Sequence, residues 1–201
     1  MKTKTESKRQ AIIKAAAEVF REVGFDRASM SDIRARVGGS KSTLYNYFPS
    51  KEKLFFEVIH DPKELELEEI VRTLNPEAAD LRQELLDFGQ RFLAVLYSPE
   101  TIAIRRLTIA EARHSDIGKM SFESSTVPLE KQVGAFLKKV MKRGALRSSE
   151  PRAAAMHFLS LLESELLQRV LLGVIDIVRP DTISGAVRRA VDAFLSGYER
   201  R

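Results

Sequence analysis

The sequence predicts an all-α fold of about nine helices, arranged as an N-terminal three-helix head and a larger helical body. Apolar residues recur at helical spacing along the chain, and helix-starting Ser, Asp and Pro residues separate these stretches. No stretch keeps the two-residue alternation of a strand. We place the head at residues 1–50 and the body at residues 51–201, with the fourth helix continuing from one into the other without a flexible linker.

The first helix of the head is predicted from one apolar stripe. Its members lie at i, i+4, i+7, i+8 and i+11: Ile12, Ala16, Val19, Phe20 and Val23. Gly24 follows this stripe directly, and glycine is the residue that most often ends a helix. We therefore expect the first helix to end at Gly24.

A short second helix should follow, with either Ser29 or Ser31 as its N-cap. Ile33 and Val37 are spaced to face inward from it. The glycine pair 38–39 then indicates a tight turn, because glycine adopts backbone conformations that other residues avoid.

A short third helix is predicted after this turn. Ser40 can cap it, and Leu44 and Phe48 are spaced to point into the core. Pro49 should stop this helix, and Ser50 can cap the next one. Two short helices joined by a glycine turn are the expected result.

Helix starts in the body are marked mainly by a residue followed by proline, because proline is favoured in the first helical turn. The predicted elements are a fourth helix kinked or interrupted at Pro62 and continuing to about Leu74, a fifth from Asn75-Pro76, a sixth from Ser98-Pro99 to about Ser115, a seventh over residues 127–143, an eighth from Glu150-Pro151 and a ninth from Arg179-Pro180. The break near residues 124–128 is either a gate to a cavity or a plain helix connection.

The composition excludes several classes of site. The chain has no cysteine, so it forms no disulfide and offers no thiolate, which fits a reducing cytosol. His60, His114 and His157 lie far apart, so we predict no metal, and no cofactor fingerprint is visible. No apolar run suggests a signal peptide or a membrane span, so we expect a cytoplasmic protein without membrane association.

The positive charge is concentrated at the N-terminus. Residues 1–60 hold 12 Lys and Arg against 7 Asp and Glu, whereas residues 61–201 hold 21 of each, so the net charge of +5 belongs to the first segment. A basic head on a neutral body is typical of a protein that binds a polyanion, although charge alone also fits a solvated basic face.

The segment 24–55 carries the most specific pattern in the chain. It reads G-F-x-x-x-S-M-x-D-I, followed by G-x-S-K-x-T-L-Y-x-Y-F-x-S-K-E-x-L. This segment resembles the N-terminal DNA-binding domain of the TetR/AcrR family of bacterial transcriptional regulators, and the likeness extends from about residue 8 to residue 59. The stretch IAEARHSDIGKMSFE resembles the AefR-like subgroup. Gly39 and Ser42 depart from the family pattern, which commonly has valine and a small residue there.

The resemblance implies a helix-turn-helix whose third helix enters a DNA major groove. Lys41 and Ser42 match family positions that face base edges, and lysine can donate to guanine. Asn46 can pair with adenine, and the ring of Tyr45 can pack on a thymine methyl group.

Further residues are expected to hold the DNA backbone. These phosphate-contacting candidates are Thr43, Tyr47 and Lys51, with Ser29 and Ser31 adding contacts from the second helix. Tyr45 and Tyr47 could instead be core aromatics.

The eighth helix is apolar on more than one face, which a helix in the outer layer of a monomer does not need. We infer that the eighth and ninth helices form a two-fold homodimer interface, as in the family. Its predicted residues are Leu162, Leu166, Val170, Val187, Val191 and Phe194. Such a dimer would place two recognition helices roughly 34 Å apart on a palindromic operator. The alternative is a buried central helix in a monomer.

The resemblance also implies a cavity for a small hydrophobic or amphipathic effector among the fifth to eighth helices. The candidate lining residues are Phe88, Phe92, Arg106, Ile109, His114, Phe122 and Glu163. Phe88 and Phe92 could equally be plain core residues, and Arg106 and Glu163 could be structural charges.

The predicted function is therefore that of a sequence-specific DNA-binding regulator, by default a repressor released by its effector. An enzyme built on Glu163 with Glu165, or on Glu111 with His114, is disfavoured because no nucleophile elbow, phosphate-binding loop or metal quartet is present. An architectural DNA binder without an effector is the third possibility.

Overall fold

The computed structural model describes residues 4–113 and 116–200, with side chains described for all of these except residues 4–5, 26, 59–65 and 111. The chain divides into two compact units, an N-terminal unit Met1–Pro62 and a C-terminal unit Lys63–Arg201. His114, one of the candidate effector contacts, lies outside the described residues.

The described residues form eleven α-helices and one π-helical turn, and no strand occurs among them. The helices are α1 Lys4–Arg27, α2 Met30–Val37, α3 Lys41–Tyr47, α4 Lys51–Arg72, α5 Leu81–Leu96, α6 Pro99–Glu111, α7 Ile117–Ser121, α8 Val127–Lys142, α9 Pro151–Glu163, α10 Leu167–Leu171 and α11 Pro180–Tyr198, and the π-helical turn is Phe122–Thr126. Over the same residues, no helix is both long enough and apolar enough to span a membrane.

The prediction of an all-α fold is confirmed, but the prediction of about nine helices is wrong. Part of the excess is α7, which lies between the predicted sixth and seventh helices, where no helix was predicted. The rest arises because the predicted eighth helix divides into α9 and α10. Leu166 N–H donates to the Glu163 carbonyl at 3.2 Å, and the Ser164 hydroxyl donates to the Leu161 carbonyl at 2.8 Å. These hydrogen bonds reach back three residues, whereas those of an α-helix reach back four, so α9 ends before α10 begins.

Two predicted boundaries in the body also differ. The predicted interruption at Pro62 does not occur, because α4 continues through Pro62 to Arg72. The fifth helix does not begin at Asn75-Pro76. The Asn75 side chain accepts from the Glu77 N–H at 3.0 Å, which forms a local turn, and α5 begins only after the Asp80 side chain caps it.

The N-terminal unit is held together by a small aromatic core. The Phe20 ring meets the Phe55 ring edge-on at 4.9 Å between centroids, and Phe25 lies 4.7 Å from Phe55. Gly24 interrupts the α1 segment with a φ of 77°, as its position after the apolar stripe predicted. Since glycine alone takes this φ without strain, the chain can turn there and bring Phe25 onto the other two rings.

The C-terminal unit has a larger core. Phe88, Phe92, Phe158 and Phe194 are each at most 1% exposed. Phe158 lies 6.0 Å from Phe88 and 4.9 Å from Phe194 between ring centroids, so it connects α5 and α11 through α9. This core leaves the outer faces of α6, α9 and α10 to form the surface described below.

Candidate functional site

The first helix of the helix-turn-helix, α2, begins with a complete capping box. Ser29 Oγ accepts from the Asp32 N–H at 3.1 Å, and the Asp32 carboxylate accepts from the Ser29 N–H at 3.0 Å. Of the two candidate caps, Ser29 therefore fills the position. Ser31 lies exposed in the first turn of α2, where its hydroxyl faces solvent.

The turn between α2 and α3 depends on two glycines. Gly38 has a φ of 71° and Gly39 a φ of 106°, both in the region that residues with a side chain rarely adopt. The missing side chain at Gly39, noted as a departure from the family pattern, therefore coincides with a backbone conformation that favours glycine.

The recognition helix candidate, α3, is anchored at both ends. The Ser40 hydroxyl accepts from the Thr43 N–H at 3.1 Å and lies 2.8 Å from the Thr43 hydroxyl. Leu44 and Phe48 are 2% and 3% exposed, so they fix which face of the helix points inward. The opposite face is left to solvent.

That solvent face carries all four predicted base-reading residues. Lys41, Ser42, Tyr45 and Asn46 are all exposed, and their spacing of one, four and five residues places them together on one side of α3. The Lys41 ammonium lies 5.7 Å from the centroid of the Tyr45 ring. An α-helix is narrow enough for the roughly 12 Å major groove of DNA, where these donor and acceptor groups match base edges.

The predicted phosphate contacts are less exposed. Thr43 and Tyr47 are half-buried at the edges of the α3 face. Lys51 is also half-buried, and its ammonium donates to the Phe25 carbonyl at 2.9 Å and lies 4.2 Å from the Phe25 ring centroid. Lys51 thus holds the start of α4 against the turn after Gly24, in addition to any contact it makes with DNA.

Some of the positive charge in this unit is neutralised internally. Arg36 donates to both oxygens of Glu22 at 2.6 Å, and these hydrogen bonds hold the pKa of the Glu22 carboxyl below its ordinary value. Arg9 also forms an ion pair, through one carboxylate oxygen of Glu57. Lys41 instead lies on the solvent face of α3, where its charge is available to a polyanion.

The C-terminal unit contains an open pocket of about 680 Å³ between α6 and the α9–α10 segment. Its lining residues are Arg106, Ile109, Ala110, Ser160, Glu163, Ser164, Leu167, Gln168, Leu171 and Leu172. The size is ordinary for a small-molecule site, and the wall is mostly apolar with a few polar groups.

Two arginines from α6 organise one side of this pocket. Arg106 donates to the Val170 carbonyl at 2.6 Å and to the Leu171 carbonyl at 3.2 Å, so it ties α6 to the end of α10. Arg105 donates to both carboxylate oxygens of Glu163, at 2.5 and 3.1 Å. Nearby, burial raises the pKa of the Tyr97 phenol well above its ordinary value, and the Glu163 carboxylate adds to this effect.

The structure brings together only part of the predicted effector site. Arg106, Ile109 and Glu163 line the pocket. Phe88 and Phe92 are instead fully buried in the core, stacked on each other at 5.5 Å between centroids.

The membership of the pocket lining also differs from the prediction in two respects. Phe122 is exposed on the π-helical turn and does not line the pocket. The leucines of α10 do line it, although sequence analysis assigned the apolar excess of this region to a dimer interface. The apolar character of these leucines indicated that they are covered by something, but the sequence could not show which element or ligand covers them.

The six residues predicted for the dimer interface are buried within one chain. Leu162, Leu166, Val170, Val187, Val191 and Phe194 are each at most 3% exposed. Because these side chains already pack in the protomer core, little of their surface is available to a second copy. Exposed apolar side chains do occur nearby, among them Met156 on α9.

Within the described residues, no group of three or more His, Asp or Glu side chains is placed to hold a metal ion. His157 is used structurally, since its Nδ1 lies 2.6 Å from the Tyr198 hydroxyl.

Comparison with known proteins supplies the family context. Residues 12–58 match the family model described as bacterial regulatory proteins of the tetR family. Residues 83–200 match that of the AefR-like transcriptional repressor C-terminal domain. The second match alone covers more than half of the chain.

Solved structures agree over nearly the whole length. A TetR-family transcriptional regulator from Mesorhizobium loti is 29% identical, with a TM-score of 0.84 and coverage of 99% of this chain and 100% of that one. The flavonoid-responsive regulator FrrA is 31% identical, with a TM-score of 0.72 and coverage of 97% and 98%.

Several curated relatives match over a shorter part of the chain. The HTH-type transcriptional repressor NicS of Pseudomonas putida is 37% identical over 79 residues, which is 39% of this chain and 34% of that protein. The first curated relatives are matched over only 28% and 31% of their own length. These matches cover 27%, 30% and 39% of this chain.

Proposed function

Since this chain belongs to the TetR family of transcriptional regulators, we propose that it is a repressor that leaves a palindromic operator when an amphipathic small molecule binds its C-terminal unit. Members of this family bind DNA operators and small-molecule effectors, usually as dimers. The family context supports a regulator over an enzyme as the function of this chain.

The exposed face of α3 is the observation that carries the DNA-binding proposal. Ser40 and the buried pair Leu44 and Phe48 fix the orientation of the helix, so Lys41 and Asn46 project from a rigid element. Rigid presentation matters because a base-reading side chain must meet its partner without reordering its own backbone. We propose that Lys41, Ser42, Tyr45 and Asn46 read bases.

The backbone contacts complete this proposed interface. Thr43 and Tyr47 on α3, and Lys51 at the start of α4, would hold phosphates, with Ser31 adding a contact from α2. The Ser29 hydroxyl is engaged in the capping box, so Ser29 would contribute by fixing the backbone at the start of α2. These contacts set the position of the helix, and the base contacts set the sequence preference.

We propose that the active species is a homodimer paired through the exposed faces of α9 and α11. Two-fold pairing would present two recognition helices to successive major grooves, roughly 34 Å apart. Residues 1–50 would then supply DNA binding, and residues 51–201 would supply dimerisation and effector binding. We place the protein in the cytoplasm, where it meets chromosomal DNA.

Effector release follows from a difference in affinity between two states. A ligand that prefers the conformation in which the two recognition helices no longer fit the operator weakens DNA binding. A coupling of about 1–3 kcal/mol would lower operator affinity about 5- to 150-fold. The pocket between α6 and the α9–α10 segment is the proposed effector site, and the names of FrrA and NicS support small-molecule response and repression respectively.

The first experiment is to sequence genomic DNA fragments that the purified full-length chain retains at moderate salt. We expect a single palindromic motif upstream of few genes. A triple variant, Lys41→Ala with Tyr45→Ala and Asn46→Ala, should lose the motif, while Lys138→Ala, at an exposed residue of α8, should keep it. Broad retention without a motif by the unaltered protein would contradict sequence-specific regulation.

A further inference from the structure

The charges around the pocket between α6 and the α9–α10 segment do not balance. Among the described residues, Arg106 and Glu163 are the charged members of its lining. The Glu163 carboxylate is already engaged at both oxygens by Arg105, which is not a lining residue. The three groups together carry one excess positive charge, and it belongs to Arg106.

Arg106 keeps this charge while being held in place. Its two hydrogen bonds go to the carbonyls of Val170 and Leu171, which are uncharged acceptors. A guanidinium group has five N–H donors, so an additional acceptor can bind without displacing either carbonyl. The bonds to α10 also fix the plane of the group, which favours paired contacts with a carboxylate.

The remainder of the wall is uncharged. Ile109 is 61% exposed and Leu172 is 72% exposed, and Leu167 and Leu171 line the same pocket. Exposed apolar surface of this kind is stabilised when a ligand covers it. The polar lining groups, Ser160, Ser164 and Gln168, are neutral and can accept or donate hydrogen bonds.

We propose that this pocket takes an organic anion, with a carboxylate paired to Arg106 and an apolar body covering Ile109 and the α10 leucines. The inference rests on the proposed function, because it names the chemical class of the effector for the same pocket. A cationic amphiphile would place its charge beside Arg106 and would find the Glu163 carboxylate already paired. A neutral amphiphile would gain the apolar contacts alone.

The test compares three ligands that share one tail: decanoate, 1-decanol and decylammonium. Their binding to the full-length protein is measured by calorimetry and by thermal shift, below the concentrations at which they form micelles. Release of a retained genomic DNA fragment is measured in parallel. We expect decanoate to bind about 10-fold more tightly than 1-decanol, and decylammonium to bind least.

Variants separate the charge of Arg106 from its structural bonds. Arg106→Gln should weaken decanoate binding about 10-fold and leave 1-decanol unchanged, and Arg106→Lys should restore most of the decanoate preference. Arg169→Gln is the matched control, because it removes a positive charge from α10 at a residue that does not line the pocket. It should leave all three affinities unchanged.

The outcomes distinguish this inference from the proposed function. If 1-decanol or decylammonium binds and releases DNA as well as decanoate does, the anion inference is overturned while effector response stands. Equal loss of all three ligands in Arg106→Gln would also overturn it, since Arg106 would then act only by holding α10. If none of the three binds, the inference fails, and the effector proposal also fails should no other small molecule release the DNA.

Discussion

The helices of the N-terminal unit are specified mainly by local sequence signals, whereas those of the C-terminal unit are held by contacts between distant parts of the chain. In the first unit, short helices are specified by local signals: the Ser29 capping box, the glycine pair 38–39 and the Ser40 cap. In the second unit, longer helices are held by rings such as Phe88 and Phe158, contributed from distant parts of the chain.

This difference indicates which side-chain substitutions each unit tolerates. A side chain on the exposed face of α3 can be replaced with little effect on folding, because it is not part of the buried core of its unit. A core side chain of the second unit cannot, because it contacts several helices at once. The pocket lies between these extremes, since Arg106 both lines it and ties α6 to α10.

The largest expected effect is loss of the central core ring. Phe158→Ala should lower the free energy of unfolding by about 3–5 kcal/mol, because it leaves a cavity between Phe88 and Phe194. Urea denaturation measures this change. Lys138→Ala, at an exposed residue of α8, is the control and should shift stability by less than about 0.5 kcal/mol. Similar losses in both variants would contradict the asymmetry between core and surface.

The next effect concerns specificity rather than stability. Asn46→Ala should reduce discrimination at one operator position by about 1–3 kcal/mol, because a paired contact to a base edge is removed. Selection from a randomised operator library, followed by sequencing, measures it. Asn75→Ala replaces the chain's other asparagine, which lies in the C-terminal unit, and should leave the selected motif unchanged. An unaltered motif in Asn46→Ala would remove its base-reading role.

A smaller effect is expected at a close approach between α5 and α11. A Cβ atom at Gly89 would lie 2.7 Å from Val187 Cγ1 and 2.9 Å from Leu162 Cδ2. Gly89→Ala should therefore destabilise the protein by about 1 kcal/mol, because overpacking outweighs the gain in helix propensity.

The control for this prediction is Gly197→Ala in α11. A Cβ atom there meets nothing within 4 Å, so this substitution should stabilise the helix by up to about 1 kcal/mol. Thermal unfolding of the two variants checks the opposite signs. Stabilisation by both substitutions would mean that the contact at Gly89 relaxes freely.

The smallest effect depends on pH and should appear in both units. Arg36 lowers the pKa of Glu22, and Arg189 lowers the pKa of Glu165, each from an ordinary value of 4.5. Because the folded-state pKa is depressed, each pair contributes stability above about pH 4.5 and loses it as the pH falls through the folded-state pKa.

Glu22→Gln and Glu165→Gln test this pH dependence. The difference in urea midpoint between each variant and the unaltered protein should be small at pH 7, since these side chains are exposed, and should shrink further below pH 4. A difference that grows on acidification would contradict the direction of both pKa shifts.

How much could be read from the sequence differs between the two units. Gly24, Ser40, Leu44 and Phe48 were assigned correctly because a cap, a turn or an inward position depends on residues close by in the chain. The same local reasoning found the helix starts at Pro99, Pro151 and Pro180. The division into α9 and α10 was missed because apolar periodicity continues across Ser164, where backbone hydrogen bonds span three residues instead of four.

By itself, the sequence determined the helical class, the helix-turn-helix and the basic N-terminal segment, because each depends on local spacing or on composition. Only the tertiary structure decided which apolar faces meet. It buried Leu162 and Val187 in the protomer core, set Phe88 and Phe92 away from the pocket, and brought Arg106 to the end of α10. A periodic apolar stripe shows that a helix face is covered, but the covering partner depends on how distant helices pack.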